Sequence, residues 1–311
     1  MRIVFWGTPD FATSPLRALI GEGFDVVGVI TQPDRPRGRS RSQLDPSPVK
    51  LVALEEGIPV LQPERPRGPE FVQALRDLAP DLSVVVAYGH ILPREVIDLP
   101  TRGTLNIHAS LLPKFRGAAP IQAAIAEGLD ETGVTIMRMV PALDAGPVIH
   151  TLNTPILTDE TGGELTLRLS ELGATALLEA LALMEFGAAA ERPQDDAQAT
   201  YAAKIEREHA LVDWAVSAAV VARRIRAYDP KPGTWSVLGS AEVRLFGARA
   251  ITDRSGAPGE VLETDELGLI VACGTGAVAI KEVHPAGKRR MAALDWAQGR
   301  GCRVGDVFVN G

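Results

Sequence analysis

The hydrophobic pattern of the first 150 residues alternates short β-rich runs with segments of helical spacing. The run "LSVVVAY" is nearly continuous, which is typical of a parallel strand buried on both faces. The predicted strands are 2–6, 25–30, 82–88, 104–108 and 133–140, and the predicted helices are 14–21, 49–56 and 69–78. This order indicates an α/β fold with a doubly wound, mostly parallel sheet, whose functional site lies beyond the carboxyl ends of the strands.

The pattern changes in the second half of the chain. Leucines at helical spacing predict one long helix over 161–187, and a further helix is predicted over 213–228. After Pro230, short strands punctuated by Gly and Asp favour a small OB-like antiparallel β-barrel. We therefore divide the chain into a sheet domain (1–187), a linker with Ala, Gln, Asp and Pro193 (188–205), and a C-terminal barrel domain (206–311).

Composition narrows the classes that the chain can belong to. It has 311 residues, 46% of them hydrophobic, which is enough for two domains. It contains no apolar run of about 18 residues, so we expect no membrane span. Cys273 and Cys302 lack the spacing of a disulfide framework or a zinc knuckle. A cytoplasmic protein is the expectation.

Charge gives a mixed indication about nucleic acid. The net charge is −7, which argues against such a partner. Basic residues nevertheless cluster in "DRPRGRSR" (34–41), "RRIR" (223–226) and "KRR" (288–290). Because attraction to phosphate is short-ranged in salt, local clusters count for more than the total charge. These clusters are either solvated faces or phosphate contacts.

Asn106 and His108 are the first candidates for chemistry. They share one face of a predicted strand, at its carboxyl end. A second loop, "VPALDAGPV", brings in Asp144, which is either an Asx turn or a partner of the imidazole. We expect the two loops to converge at one edge of a parallel sheet.

Together these side chains suit acyl transfer to an amine without a covalent intermediate. Asn106 can donate to a developing oxyanion, His108 can move a proton near neutral pH, and Asp144 can orient the imidazole. Ser110 is an alternative nucleophile, but no GxSxG sequence surrounds it. HEXXH and paired His or Cys spacings are absent, so we expect no metal.

Two other strand ends bear on ligand binding. The first strand ends in "FWGTPDF" instead of GxGxxG, which makes a nicotinamide cofactor a poor expectation. "VVVAYGHILP" (84–93) ends a buried strand at Gly89 and continues with Ile91 and Leu92. It is either a plain turn or a backbone edge beside an apolar slot for a flat heterocycle.

Taken together, these motifs resemble the methionyl-tRNA formyltransferase family over essentially the full chain. The likeness rests on Asn-x-His-x-Ser-Leu-Leu-Pro with a downstream Leu-Asp-x-Gly, the motif of enzymes that use 10-formyltetrahydrofolate. The resembling stretches are "FWGTPDFA", "TQPDRPRGR", "SPVK", "VVAYGHILP", "NIHASLLPKFRGAAPIQ", "TGVTIM", "LDAGPVI", "TYAAKI" and "DWAVSA". The resemblance implies formyl transfer from the folate to the α-amino group of initiator methionyl-tRNA, for translation initiation.

The resemblance also implies roles for individual residues. Asn106, His108 and Asp144 match the catalytic set. Matches to the folate-contacting segments are Ser110, Leu111, Leu112 and Pro113 in one loop, and Tyr88, Gly89, His90, Ile91 and Leu92 in the other. The arginines matching the loop that enters the tRNA acceptor end are Arg35, Arg37, Arg39 and Arg41. The barrel would contact the tRNA backbone.

A few residues depart from the family pattern, and other functions are possible for the same catalytic residues. His90, Ala145 and Lys231 differ from the usual family residues, and the basic loop carries Ser and Gln where relatives often have Lys. No self-association patch stands out, so a monomer is expected. The same catalytic residues would also serve a formyltransferase for a small amine, or a hydrolase of the formylfolate itself. A non-catalytic RNA-binding protein on the same scaffold is the alternative from another class.

Overall fold

A computed structural model describes residues 1–37 and 43–309 of the chain. In chain order its strands are β1 (Arg2–Gly7), β2 (Asp25–Ile30), β3 (Arg35–Arg37), β4 (Gln43–Asp45), β5 (Val60–Leu61), β6 (Leu82–Val86), β7 (Thr104–His108), β8 (Arg116–Gly117), β9 (Glu131–Arg138), β10 (Val148–Pro155), β11 (Tyr201–Ala202), β12 (Thr234–Leu238), β13 (Ala241–Ile251), β14 (Val261–Asp265), β15 (Gly268–Ala272), β16 (Ala277–Pro285), β17 (Met291–Ala292) and β18 (Phe308–Val309).

The helices follow the sequence signals for helix starts. They are α1 (Thr13–Gly21), α2 (Pro48–Glu55), α3 (Pro69–Asp77), α4 (Arg94–Ile97), α5 (Pro120–Glu127), α6 (Gly162–Glu185), α7 (Ala218–Ala227) and α8 (Ala293–Gln298). Proline begins α2, α3 and α5, where its missing N–H costs no hydrogen bond. Ser47 caps α2 by accepting a hydrogen bond from Lys50 N at 3.1 Å. None of the described helices has the length and apolar character needed to cross a membrane.

The chain divides into two compact units, and the first contains the predicted sheet. This unit comprises Met1–Gly117, Gly133–Thr154 and Thr166–Tyr201. Its central sheet has the order β10-β9-β7-β6-β1-β2-β5. Five neighbouring strands, in the spatial order β7, β6, β1, β2 and β5, pair in parallel. At the other side of β7, strand β9 pairs antiparallel with it. The prediction of a mostly parallel α/β sheet is confirmed.

One face of this sheet packs against α3. Val4, Trp6 and Val85 from the strands form one apolar cluster with Val72 and Leu75 from the helix. Burial of each such side chain contributes about 1.5–3 kcal/mol, which fixes the strand register. This packing holds β1 and β6, and so the loops that follow them, in place.

The second unit comprises Ala118–Thr132, Pro155–Leu165 and Ala202–Gly311. Its sheet is antiparallel, with the order β14-β15-β16-β13-β12-β18. The C-terminal segment closes it, because Phe308 N donates to Gly259 O and Val261 N donates to Asp306 O, both at 2.8 Å, while β18 pairs with β12. The predicted C-terminal antiparallel barrel is confirmed.

The two units do not follow the division that we drew along the sequence. Residues 118–132 and 155–165 fall within the predicted first domain, yet their contacts are with the C-terminal residues. Arg223 Nε of α7 donates to Ala126 O of α5 at 3.3 Å, and Gly163 N donates to Asp229 O at 2.8 Å. Such contacts join residues far apart in sequence, and composition does not reveal them. The boundaries at 187 and 206 stay a prediction.

The helix predicted over 213–228 begins five residues later, at Ala218. The preceding backbone is used elsewhere in the second unit: Gly274 N donates to both Trp214 O and Val216 O, at 2.8 and 2.9 Å. Trp214 is buried in the barrel core, and its Nε1 donates to Ser236 Oγ at 2.9 Å. Tertiary hydrogen bonds therefore replace the first helical turn.

The segment expected to be a linker makes specific backbone contacts with the first unit's other loops and strands. Arg192 and Val148 exchange two backbone hydrogen bonds of 2.8 Å each. Farther along, Arg116 N donates to Thr200 O at 2.8 Å. We call residues 192–200 the strap, because they run along the loops of the candidate site described below.

The tight approach of β9 to β10 gives a test of the fold. A Cβ at Gly133 would overlap the backbone oxygen of Leu152 and lie 2.6 Å from Leu111 Cδ2. We expect Gly133→Ala to lower the free energy of unfolding by ~1–3 kcal/mol in urea denaturation. Gly21→Ala is the matched control, because an added Cβ at this end of α1 meets nothing within 4 Å. Equal denaturation midpoints for both variants would contradict the packing.

Candidate functional site

Asn106 and His108 lie at the carboxyl end of β7 in the first unit. Asn106 pairs with Val85 of β6, and His108 pairs with Thr135 of β9. The two-residue period of a strand puts both side chains on one face. Asn106 is partly exposed, whereas His108 is only 5% exposed. The end of β7 thus carries a partly exposed Asn106 and a buried His108 on one face.

The imidazole of His108 is held from both sides. Its Nε2 lies 2.8 Å from Phe115 O, and its Nδ1 lies 3.6 Å from Asp144 Oδ2. A carbonyl oxygen can only accept a hydrogen bond, so Nε2 carries a hydrogen. Nδ1 is therefore the nitrogen that can gain or lose a proton, and it faces the carboxylate. The structure brings the three side chains of the predicted catalytic set into one region.

Asp144 reaches His108 by a route that differs from the one we expected. The loop that carries it follows β9, and β9 runs antiparallel to β7, with Arg138 beside Leu105. The loop therefore leaves the sheet at the opposite end of β7, where Met139 N donates to Thr104 O at 2.8 Å. It must fold back across the sheet to bring Asp144 to His108. Convergence at one parallel edge was the wrong explanation.

The Asp144 backbone has a conformation that few non-glycine residues adopt. Its φ is +48°, in the left-handed region. Its carboxylate Oδ2 accepts a hydrogen bond from Gly117 N at 2.8 Å. Two residues later, a Cβ at Gly146 would overlap Arg138 O, so only glycine fits there. The loop is tightly constrained around the carboxylate.

Three consecutive residues, Phe115 to Gly117, hold the side chains of both His108 and Asp144. Phe115 O binds His108, and Gly117 N binds Asp144. The strap holds these residues in turn, since Phe115 N donates to Thr200 Oγ1 at 2.9 Å and Arg116 N donates to Thr200 O at 2.8 Å. The sequence analysis missed Thr200, because no local pattern links residues more than 80 positions apart.

Arg116 and Gln194 extend this support and were also missed. Arg116 is 3% exposed, and its Nη2 donates to Gln194 Oε1 at 2.8 Å and to Asp196 Oδ1 at 2.7 Å. Burial by itself would lower the pKa of Arg116, but hydrogen bonds with Asp196 and Tyr201 outweigh it, and the pKa is raised. The sequence does not show the burial of Arg116, and Gln194 lies 78 positions away from it.

The loop from Ser110 to Pro113 is fixed by its own hydrogen bonds. Ser110 is fully buried, and its hydroxyl donates to Lys114 O at 2.6 Å. Its proton is thus directed to a carbonyl, which argues against Ser110 as a nucleophile. Thr135 Oγ1 accepts from Leu112 N at 3.1 Å and donates to Ser110 O at 2.6 Å. Leu111, Leu112 and Pro113 remain partly exposed.

The segment from Tyr88 to Leu92 is divided between core and surface. Tyr88 and Leu92 side chains belong to the apolar cluster under the sheet, and burial raises the pKa of Tyr88 to about 12. Tyr88 O accepts hydrogen bonds from Thr8 Oγ1 at 3.2 Å and from Gln32 Nε2 at 3.0 Å. Between them Gly89, His90 and Ile91 are exposed, and Gly89 has a φ of +88°.

The base of the basic loop is joined to this segment by Gln32. Arg35 is exposed on β3, and its Nη2 donates to Gln32 Oε1 at 2.5 Å. Beside it, Lys50 Nζ lies 2.5 Å from Asp34 Oδ2, and Gln62 Nε2 donates to Asp34 Oδ1 at 2.7 Å. These hydrogen bonds lower the pKa of Asp34.

The other arginines of the loop are described only in part. The backbone of Arg37 lies on β3, whereas Arg39 and Arg41 lie outside the described residues.

Each of the two other basic clusters has arginines engaged within the second unit. Arg223 and Arg226 of "RRIR" donate to Ala126 O and Thr158 O. Arg290 of "KRR" lies 2.9 Å from Asp229 Oδ1. In the part of the chain that the structure describes, no three His, Cys, Asp or Glu side chains form a group that could hold a metal.

Comparison with known proteins identifies the family of the chain. The formyl transferase family matches residues 1–181, and the formyl transferase C-terminal domain matches residues 204–301. A curated methionyl-tRNA formyltransferase from Marinobacter nauticus is 48% identical over 96% of each chain. Another from Magnetococcus marinus is 46% identical over 100% of this chain and 99% of its own.

A solved structure shows a similar fold. A variant of HypX from Aquifex aeolicus aligns with a TM-score of 0.64 and 25% identity over 95% of this chain. The match covers 48% of HypX, so the chain spans about half the length of that protein. The formyl transferase domain (1–181) contains the strands of the mostly parallel sheet, and the formyl transferase C-terminal domain (204–301) contains most strands of the antiparallel barrel. The chain belongs to the methionyl-tRNA formyltransferase family.

Proposed function

We propose that the protein transfers the formyl group of 10-formyltetrahydrofolate to the α-amino group of methionine on initiator tRNA. The observation that carries this proposal is the 3.6 Å contact between His108 Nδ1 and Asp144 Oδ2, beside Asn106. The chain has this arrangement in a family whose curated relatives are 46–48% identical over nearly their full length.

The side chains divide the work of the reaction as follows. The uncharged amine attacks the formyl carbon, and the carbonyl oxygen becomes an oxyanion as the new C–N bond forms. The Asn106 amide donates a hydrogen bond to that oxygen, which stabilises the tetrahedral adduct. His108 takes the proton that the amine loses and returns it to the folate nitrogen when the old C–N bond breaks. One proton leaves the amine and one reaches the folate.

His108 is suited to this shuttle because only one of its nitrogens is engaged by a carbonyl. Nε2 stays bonded to Phe115 O throughout, so the proton enters and leaves at Nδ1. The Asp144 carboxylate stabilises the imidazolium that forms. Gly117 N keeps that carboxylate in place at 2.8 Å from its oxygen.

The chain also offers a fitting place for the folate. Gly89, His90 and Ile91 are exposed at the end of β6, and β6 lies next to the strand that carries Asn106. A pterin ring needs backbone donors and acceptors beside apolar side chains, and this segment supplies both. Leu111, Leu112 and Pro113 supply further apolar surface. The Ser110 hydroxyl and the Tyr88 side chain serve the protein interior instead.

For the tRNA we propose the loop at 34–41 and the C-terminal barrel as contacts. Arg35 is exposed and held at the base of the loop by Gln32. Since Arg223, Arg226 and Arg290 are already engaged by carbonyl and carboxylate oxygens of the second unit, the loop arginines are the stronger candidates for phosphate contacts. We also propose a cytoplasmic monomer, with Cys273 and Cys302 buried and unpaired.

The catalytic assignment predicts large effects at two positions. We expect Asn106→Ala and His108→Ala to lower kcat for formyl transfer by ~10²–10⁴, because each removes a group that acts in the transition state. The Kd for tRNA should change little. His150→Ala is the matched control, since His150 pairs with Glu179 at 2.6 Å and has no part in the mechanism. A near-normal kcat for Asn106→Ala or His108→Ala would refute the catalytic role of the residue that was replaced.

The acceptor is tested by comparing charged initiator tRNA, charged elongator tRNA, free methionine and an amino sugar nucleotide in one assay. We expect rapid release of tetrahydrofolate with charged initiator tRNA and little with free methionine or the amino sugar nucleotide, because the basic loop is unnecessary for a small acceptor. Faster transfer to the amino sugar nucleotide would support the small-amine alternative. Release of tetrahydrofolate and formate without an acceptor would support the hydrolase.

The salt dependence of tRNA binding tests the basic loop. Replacing Arg35, Arg37, Arg39 and Arg41 with Gln should weaken binding and flatten the slope of log Kd against log salt by ~0.7–0.9 for each phosphate that is no longer neutralised. The control is a variant with the same change at exposed arginines outside the loop: Arg17, Arg65, Arg76 and Arg94. Equal slopes for the loop variant and the unmodified protein would exclude the loop from the interface.

A further inference from the structure

We propose that Gln194 is a positioning residue for the reaction, which sets the place of the Asp144 carboxylate beside His108. The inference rests on the proposed function, because it assigns the residue a role in formyl transfer. Gln194 lies on the strap, in a segment whose composition predicted a linker.

Both ends of the Gln194 amide are bonded, and the two ends bind different partners. Nε2 donates to Asp144 O at 2.8 Å and to Gly146 O at 2.7 Å. Oε1 accepts from Arg116 Nε at 3.1 Å and from Arg116 Nη2 at 2.8 Å. Carbonyls only accept and a guanidinium only donates, so the amide has one allowed orientation.

The Asp144 loop depends on such an external support. Within the loop itself, Ala145 N is 3.5 Å from Ala142 O, at the limit of a hydrogen bond, and residues 141–143 are exposed. Asp144 also has the unfavourable φ of +48°. A conformation of this kind costs about 1–3 kcal/mol and persists only where neighbouring contacts fix it. Gln194 binds the carbonyl of Asp144 itself.

Gln194 also connects this loop to the segment that binds His108. Its partner Arg116 lies between Phe115, which binds His108, and Gly117, which binds Asp144. The guanidinium is buried and its charge is balanced by Asp196 at 2.7 Å. Through one side-chain amide, the carboxylate loop and the imidazole-binding segment are therefore held at a fixed separation. Gln194 need not contact a substrate to do this.

Two substitutions at Gln194 test its role in different ways. Gln194→Leu removes the hydrogen bonds to Arg116, Asp144 and Gly146 while keeping a similar volume. Gln194→Glu keeps an oxygen toward Arg116 and places another oxygen against two carbonyls, which repels the loop. We expect kcat to fall by ~10–100-fold in both variants, since a displacement of about 1 Å at a reacting group has effects of that size. KM for tRNA and for formylfolate should change less than about threefold.

The matched control is Gln198→Leu, on the same strap. The Gln198 side chain is exposed, and its Nε2 donates to Asp195 Oδ2 at 2.8 Å, away from the Asp144 loop, so this substitution should leave kcat unchanged. Urea denaturation of each variant identifies any that fails to fold. Should Gln194→Leu fail to fold, Gln194→Glu carries the test with its bond to Arg116 intact.

A double-mutant cycle with Asp144→Ala distinguishes positioning from general destabilisation. If Gln194 acts through Asp144, Gln194→Leu should lower kcat little further in the Asp144→Ala background. Independent, multiplicative decreases in kcat would overturn the proposal, as would a near-normal kcat for Gln194→Leu alone. Absence of transfer to charged tRNA by the unmodified protein would instead reject the proposed function, so the two failures are distinguishable.

Discussion

The site depends on the backbone of three consecutive residues. Phe115 O accepts the Nε2 hydrogen of His108, and Gly117 N donates to the carboxylate of Asp144. The distance between a carbonyl and an amide two residues apart varies little once the backbone is fixed. The imidazole and the carboxylate are thus brought to 3.6 Å by a short peptide segment, although they come from different loops. A movement of this segment would change the separation of the imidazole and the carboxylate.

A second layer of contacts fixes that segment. Thr200 binds the backbone of Phe115 and Arg116, and Gln194 joins the Arg116 side chain to the Asp144 loop. These residues come from a stretch that follows the long helix α6. Polar composition there does not mean disorder, because Gln194 and Thr200 both bind the loops that carry the site. Sites that hold charge and move protons require this kind of fixed surrounding.

A cluster of basic residues in the sequence need not form a surface that binds nucleic acid. Arg223 and Arg226 lie in a run that resembles a nucleic-acid contact, yet both donate to backbone carbonyls of the second unit. Arg290 is engaged by Asp229. By contrast, Arg35 is exposed at a loop whose base is fixed by Lys50 and Asp34. The exposed guanidinium of Arg35 therefore lies on a fixed base, whereas Arg223, Arg226 and Arg290 are engaged by oxygens of the second unit.

The sequence alone determined most of the secondary structure, the two fold types and the candidate catalytic side chains. Buried strands, proline helix starts and the Asn106–His108 spacing are local features, so they can be recognised in a few adjacent residues. Only the tertiary structure decided which distant residues meet. The antiparallel pairing of β9 sends the Asp144 loop across the sheet, and Gln194, Arg116 and Thr200 hold it there. Their hydrogen bonds join positions more than 40 residues apart, and no periodic pattern in the chain records such a contact.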